Sequence, residues 1–165
     1  MTPTEDLAKL RMNTTSKQNY KLCILAAGRG TRNTCVSGLH KALLPLENKA
    51  TISHIIRSVP EYVEVVIAVG HKNEQVQSYI KSVFPNREIN FVYVDNYDGE
   101  GSGPGYSLLQ CKEYLQTPFI FTSADTIVKE IEMLDTLEEN WLGVSHIDPD
   151  ESSKYCLADG DEHLD

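Results

Sequence analysis

Four short apolar runs, separated by stripes of helical spacing, leave this chain few folds to choose from. Leu22-Cys23-Ile24-Leu25-Ala26-Ala27, Val63 to Val69, Phe91-Val92-Tyr93-Val94 and Phe119-Ile120-Phe121-Thr122 are almost unbroken by polar residues, as strands buried on both faces are. Between them, Ile52, Ile55, Ile56 and Val59 recur at i, i+3, i+4 and i+7 and stop before Pro60. Val76, Tyr79, Ile80, Val83 and Phe84 repeat the pattern after Asn73, with Pro85 as the stop, and Leu108, Cys111 and Leu115 form a third stripe. Strands alternating with helices over short connections predict an α/β fold: a doubly wound, mostly parallel, Rossmann-like sheet in three layers. The ligand crevice of such a sheet lies beyond the carboxyl ends of its strands.

Three connections fall at that end. The first run is followed by Gly28-Arg29-Gly30-Thr31-Arg32, and Lys41-Ala42-Leu43-Leu44-Pro45 comes soon after. Two glycines let the backbone turn tightly and bring its amides near phosphate oxygens, while Arg32 and Lys41 add fixed positive charge, so the stretch reads as a triphosphate-binding loop. A dinucleotide fingerprint would need a third glycine where Asn33 stands, and a P-loop would need Gly-Lys-Ser/Thr where Gly30-Thr31-Arg32 stands. A plain turn between strand and helix is the remaining alternative. The second connection, Gly99 to Gly105, is read as a glycine-rich loop. The third places Asp125 just after the fourth run, where it serves either as a hard oxygen ligand for a divalent cation or as an N-cap for a following helix.

Charge narrows the ligand. The chain of 165 residues carries a net charge of −9, yet residues 20–50 hold Lys21, Arg29, Arg32, Lys41 and Lys49 against Glu47 alone. Beyond Asp95 the carboxylates far outnumber Lys112, Lys129 and Lys154, a field hostile to nucleic-acid phosphates. A small, multiply charged anion held by a few aimed donors fits better than a polymer, and no nucleic acid partner is expected. Cys23, Cys35, Cys111 and Cys156 lack metal-ligand or paired spacing, and His40, His54, His71, His146 and His163 form no ligand motif. Reduced thiols, no membrane span, no signal peptide and a cytoplasmic location are the corresponding expectations.

The combination Gly-x-Gly-Thr-Arg with Lys-Ala-Leu-Leu-Pro resembles the signature of the nucleotidyltransferases that activate sugar 1-phosphates and phosphocholine-type phosphomonoesters. The resemblance covers roughly residues 20–128. It implies transfer of a nucleotide from a nucleoside triphosphate to a phosphorylated acceptor, release of pyrophosphate, and use of Mg²⁺. Carried over residue by residue, Arg32 and Lys41 are the catalytic cations, and Ala26, Ala27, Gly28, Gly30, Thr31 and Gly105 bind the nucleotide. The same resemblance makes Asp125 the metal ligand. Small residues at Ala26 and Ala27 are equally expected from strand packing, and the segment around Gly105 from a connector. The chain departs from the family at His40, where Pro usually precedes the lysine.

Residues 1–19 read as a polar, flexible tail and 20–165 as a nucleotide-binding domain. Ile131, Leu134 and Leu137 suggest a helix, Trp141 to Ile147 a strand, and Asp159-Gly160 a hairpin turn whose return strand begins near Glu162. The family's second metal-binding Asp and acceptor-binding Lys would follow residue 165, so the domain is expected to be truncated. A binding module without turnover is therefore the alternative to an active transferase. A homo-oligomer is compatible with the sequence.

Overall fold

The computed structural model describes residues 19–30 and 38–127, with the isolated positions Asn140 and Gly143. Two compact units divide the chain, Met1–Glu132 and Met133–Asp165, and every element below belongs to the first. The expected tail through residue 18, Thr31 and Arg32, the helix over 131–137, the strand over 141–147 and the hairpin at Asp159 lie outside the described residues.

Each of the four apolar runs forms a strand. They are β1 (Lys21–Ala26), β4 (Glu64–Val69), β5 (Ile89–Tyr93) and β6 (Phe119–Ser123), with the small antiparallel pair β2 (Pro45–Leu46) and β3 (Lys49–Ala50) between the first two. The main sheet has the order β5-β4-β1-β6 and every pair in it is parallel. Cys23, Leu25, Val66 and Ala68 share one face with Val94, Cys111 and Leu115. The alternate residues Leu22, Ile24, Val65 and Ile67 are equally buried, so the central strands β1 and β4 are covered on both faces, whereas Phe119 and Phe121 of the edge strand β6 and Tyr93 of β5 are exposed.

The helices follow the stripes. Helix α1 (Thr51–Arg57) buries Ile52, Ile55 and Ile56, and α2 (Asn73–Val83) buries Val76 and Ile80. Two expectations change. Helix α3 already begins at Pro104, so Gly105 lies in its first turn rather than in a loop; proline at the first helical position loses no hydrogen bond there. Helix α3 also ends at Gln110, and a 3-10 turn, Lys112–Tyr114, brings Leu115 into the core. Cys23 on β1 and Cys111 after α3 are free, buried thiols; their mutual hydrogen bond and then burial push the Cys23 thiol up, so it stays protonated.

Chain order fixes where a ligand can enter. From β1 the chain moves outward through β4 to β5, then crosses back to place β6 on the other side of β1. Connections diverge at the β1/β6 boundary, which opens a crevice at the carboxyl ends of those two strands.

Candidate active site at the β1/β6 crevice

Ala26 ends β1 and is fully buried, as is Ala27 behind it, so both small residues serve strand packing whatever else they contact. The glycine loop starts next. Gly30 has φ +67°, and a Cβ there would meet the Lys41 Cδ at 2.9 Å, so the lysine stem runs directly against the loop backbone. Lys41 opens a 3-10 turn, Lys41–Leu43, whose N-cap is His40.

Strand β6 supplies the opposite wall. The Ala124 N–H donates to the Leu25 carbonyl at 3.1 Å, which seats the end of β6 beside the end of β1 and sets Asp125 at the crevice. There the Lys41 ammonium donates to Asp125 Oδ2 at 3.0 Å. Residues 84 positions apart are thus joined at the switch point, with the Asp125 side chain 55% exposed and open to further ligands. Such an exposed pair contributes only about 0 to 1 kcal/mol, so its position is not explained by stability.

Around this pair stand contacts that sequence reasoning did not anticipate. Arg29 Nε of the glycine loop meets Asp98 Oδ2 at 3.0 Å, tying that loop to the segment before α3. Gly70 is needed where it stands: a Cβ would lie 2.8 Å from the Ala27 carbonyl oxygen and 2.8 Å from Tyr97 Cβ. The His71 N–H donates to that same carbonyl at 2.9 Å. His40, 1% exposed, accepts the Ala42 N–H on Nδ1 at 3.1 Å. Burial, followed by the charges of Lys41 and His71, holds the His40 pKa down at about 4 and the ring neutral. Only the departure from proline at His40 hinted at this part of the site.

Gly105, in the first turn of α3, is exposed, and a Cβ there would meet nothing within 4 Å. Its neighbour Tyr106 donates its hydroxyl to Asp95 Oδ1 at 2.7 Å, fastening α3 to the end of β5 and holding the Asp95 carboxyl below its usual range. Among the described residues no three His, Cys, Asp or Glu side chains gather as a metal cage. Nor is any described helix long and apolar enough to cross a membrane.

Residues 22–155 match the family described as the MobA-like NTP transferase domain. The chain belongs to that family. Its relatives are nucleotidyltransferases. It is 30% identical over 132 residues to the bifunctional protein GlmU of Methanococcus vannielii, a match that covers 78% of this chain and 30% of that protein. Among solved structures, it is similar to the CTP:phosphocholine cytidylyltransferase of Streptococcus pneumoniae, with a TM-score of 0.58 and 26% identity over 69% of this chain and 48% of the other. The inositol-1-phosphate CTP transferase of T. maritima shares the fold, with a TM-score of 0.52 and 17% identity over 67% of this chain and 44% of the other. The chain thus spans 30% of the length of the first of these relatives and just under half of the two structural neighbours.

Proposed function

We propose that this MobA-like domain transfers a nucleoside monophosphate from an NTP to a phosphomonoester such as a sugar 1-phosphate or a phosphocholine-like acceptor. The observation that carries this reading is the Lys41–Asp125 pair at the β1/β6 crevice, where a cation and a carboxylate stand beside a glycine loop. An acceptor phosphate oxygen attacks the α-phosphorus, the bond from that phosphorus to the bridging oxygen breaks, and pyrophosphate leaves. Attack requires two anions to approach, and unit charges about 4 Å apart repel by about 4 kcal/mol at an effective dielectric of about 20. Offsetting that repulsion is the main task of the protein groups.

In this reading the loop amides from Gly28 to Thr31 hold the β- and γ-phosphates, and Arg32 neutralises the departing pyrophosphate. Lys41 exchanges Asp125 for the α-phosphate. Ala26, Ala27 and Gly105 lie where base and ribose approach. Asp125 fits as a protein ligand of Mg²⁺, because it is an exposed hard carboxylate at the crevice and Mg²⁺ is commonly held by one or two carboxylates plus phosphates and water. Bound there, Mg²⁺ would supply positive charge to offset that of the phosphates. The acceptor class is supported by the name of the structural neighbour at 26% identity, a CTP:phosphocholine cytidylyltransferase.

Pyrophosphate release measured across ATP, CTP, GTP and UTP, with Mg²⁺ and a panel of phosphomonoesters, tests the proposal. Acceptor-dependent pyrophosphate with one NTP supports transfer. Calorimetric NTP binding with no product from any acceptor favours a binding module instead.

A further inference from the structure

Two arms of the crevice, the glycine loop and the segment that carries Lys41, are joined from outside through one helix. The loop is anchored where it starts: the His71 N–H donates to the Ala27 carbonyl at 2.9 Å, and only a glycine at position 70 leaves room for that oxygen. Helix α2 begins just beyond, at Asn73, so its first turn is set relative to Ala27. Gln75 is the third residue of this helix, where a glutamine commonly turns back to the N–H at the helix start. Here it turns outward. Its Oε1 accepts the His40 N–H at 3.1 Å and its Nε2 donates to the Gly38 carbonyl at 2.9 Å, so one amide takes the backbone groups on both sides of Leu39, as a parallel strand would.

This grip ends at the residue before Lys41. On the far side the 3-10 turn takes over, with the Ala42 N–H donating to His40 Nδ1 at 3.1 Å and the Leu43 N–H to the His40 carbonyl at 2.9 Å. The Lys41 backbone is therefore held from both directions, while its ammonium rests on a half-exposed carboxylate it can leave. Gln75 is exposed, and among the described residues no other hydrogen bond joins α2 to residues 38–43. Water competes for such bonds and their net worth to the fold is small, so what they position matters more than what they stabilise.

We infer that Gln75 is a positioning residue for the phosphate site: its amide fixes the backbone that carries Lys41 at a set distance from the Ala27 end of the glycine loop. Small displacements of an aimed charge are costly, so a strut between the two groups that meet the same polyphosphate has a clear use. The inference rests on the phosphate-site reading given above, not on turnover, and adds to it the group that sets the spacing. Gln75 acts through Lys41 and touches no substrate itself.

Calorimetric titration with ATP, CTP, GTP and UTP in the presence of Mg²⁺ tests it. For the NTP that binds, Gln75→Met, which keeps length and helix propensity but makes neither bond, should bind about tenfold more weakly, the loss expected when one charged hydrogen bond is misplaced. Gln75→Glu, which keeps the acceptor for His40 and loses the donor to Gly38, should fall between. In a Lys41→Met background the same Gln75→Met change should weaken binding by less than about twofold, because the group it positions is gone. A merely structural strut would lower Tm and leave the affinity of the folded protein alone, whereas here Tm should shift by less than about 4 °C. Unchanged affinity in Gln75→Met, or a full tenfold loss repeated in the Lys41→Met background, overturns the role of Gln75 and leaves the phosphate site standing. Should Gln75→Met fail to fold, unchanged affinity in Gln75→Glu overturns it equally. Failure of the unaltered chain to bind any NTP removes the phosphate-site reading and this inference together.

Discussion

Replacing Lys41 with Met should cut turnover by about 10² to 10³ while barely touching the fold, and the structure says why the two effects separate. Lys41 spends its charge on one partner, Asp125, at 3.0 Å, and the Asp125 side chain is 55% exposed. Measured pairs of this kind contribute about 0.2 to 1 kcal/mol, and a change of 1 kcal/mol in a domain of this size shifts Tm by roughly 2–4 °C. In the transition state the same ammonium would face charge developing on the α-phosphate in a partly dehydrated crevice, where losing one aimed donor lowers kcat by about 10² to 10³. Thermal unfolding and pyrophosphate release should therefore diverge for Lys41→Met, and Asp125→Asn should show the same pattern. A variant with unchanged kcat/KM and a stability loss of several kcal/mol would refute the reasoning, because it would make the pair a structural strut.

The remaining predictions concern what holds the crevice in shape. Gly70→Ala forces a Cβ to within 2.8 Å of the Ala27 carbonyl; overpacking of this kind costs about 1–3 kcal/mol, and urea titration together with weakened NTP binding would register it. Ile24→Ala removes a side chain with 0% exposure from the central strand; a loss of about 2–5 kcal/mol in chemical denaturation is expected. His40 gives a pH dependence whose sign is set by its lowered pKa. Unfolded, the ring takes its proton near 6.5, and folded only near 4, so the unfolded chain binds protons first. Stability should thus be intact above pH 6.5 and fall as pH drops toward 4, by up to about 3 kcal/mol from this group. Lys41, His71 and Lys72 are the charged or titratable neighbours that help keep the ring neutral. Denaturation at pH 7 and 4.5 should show a shallower decline in His40→Gln than in the unaltered chain, and parallel declines would contradict the assignment.

How much of this was legible in the sequence depended on whether the signal was local. The strands were plain because each is a run apolar on both faces, and Asp125 fell at the crevice because it directly follows such a run. The β2–β3 hairpin escaped notice: its central residues Glu47 and Asn48 take φ 52° and 90°, the left-handed geometry of a type I′ turn, but without the glycine that usually announces one. The early end of α3 was hidden because a 3-10 turn also returns every third residue to the same side, so Leu115 satisfies either reading. Gly105 was assigned to a loop because the density of glycines before it masked Pro104 as a helix start. His40 drew notice only as a departure from proline, and the roles of His71 and Gly70 against the Ala27 carbonyl could not be read, because that contact joins positions more than forty residues apart.

Diffraction from crystals soaked with a slowly hydrolysed NTP analogue and Mg²⁺ tests the central claim most directly. The account predicts polyphosphate density at the β1/β6 crevice, with the Gly28 and Arg29 amides on the phosphates, Lys41 swung from Asp125 to the α-phosphate, and Asp125 on the metal. Phosphates bound elsewhere, with Lys41 and Asp125 still joined, would contradict it.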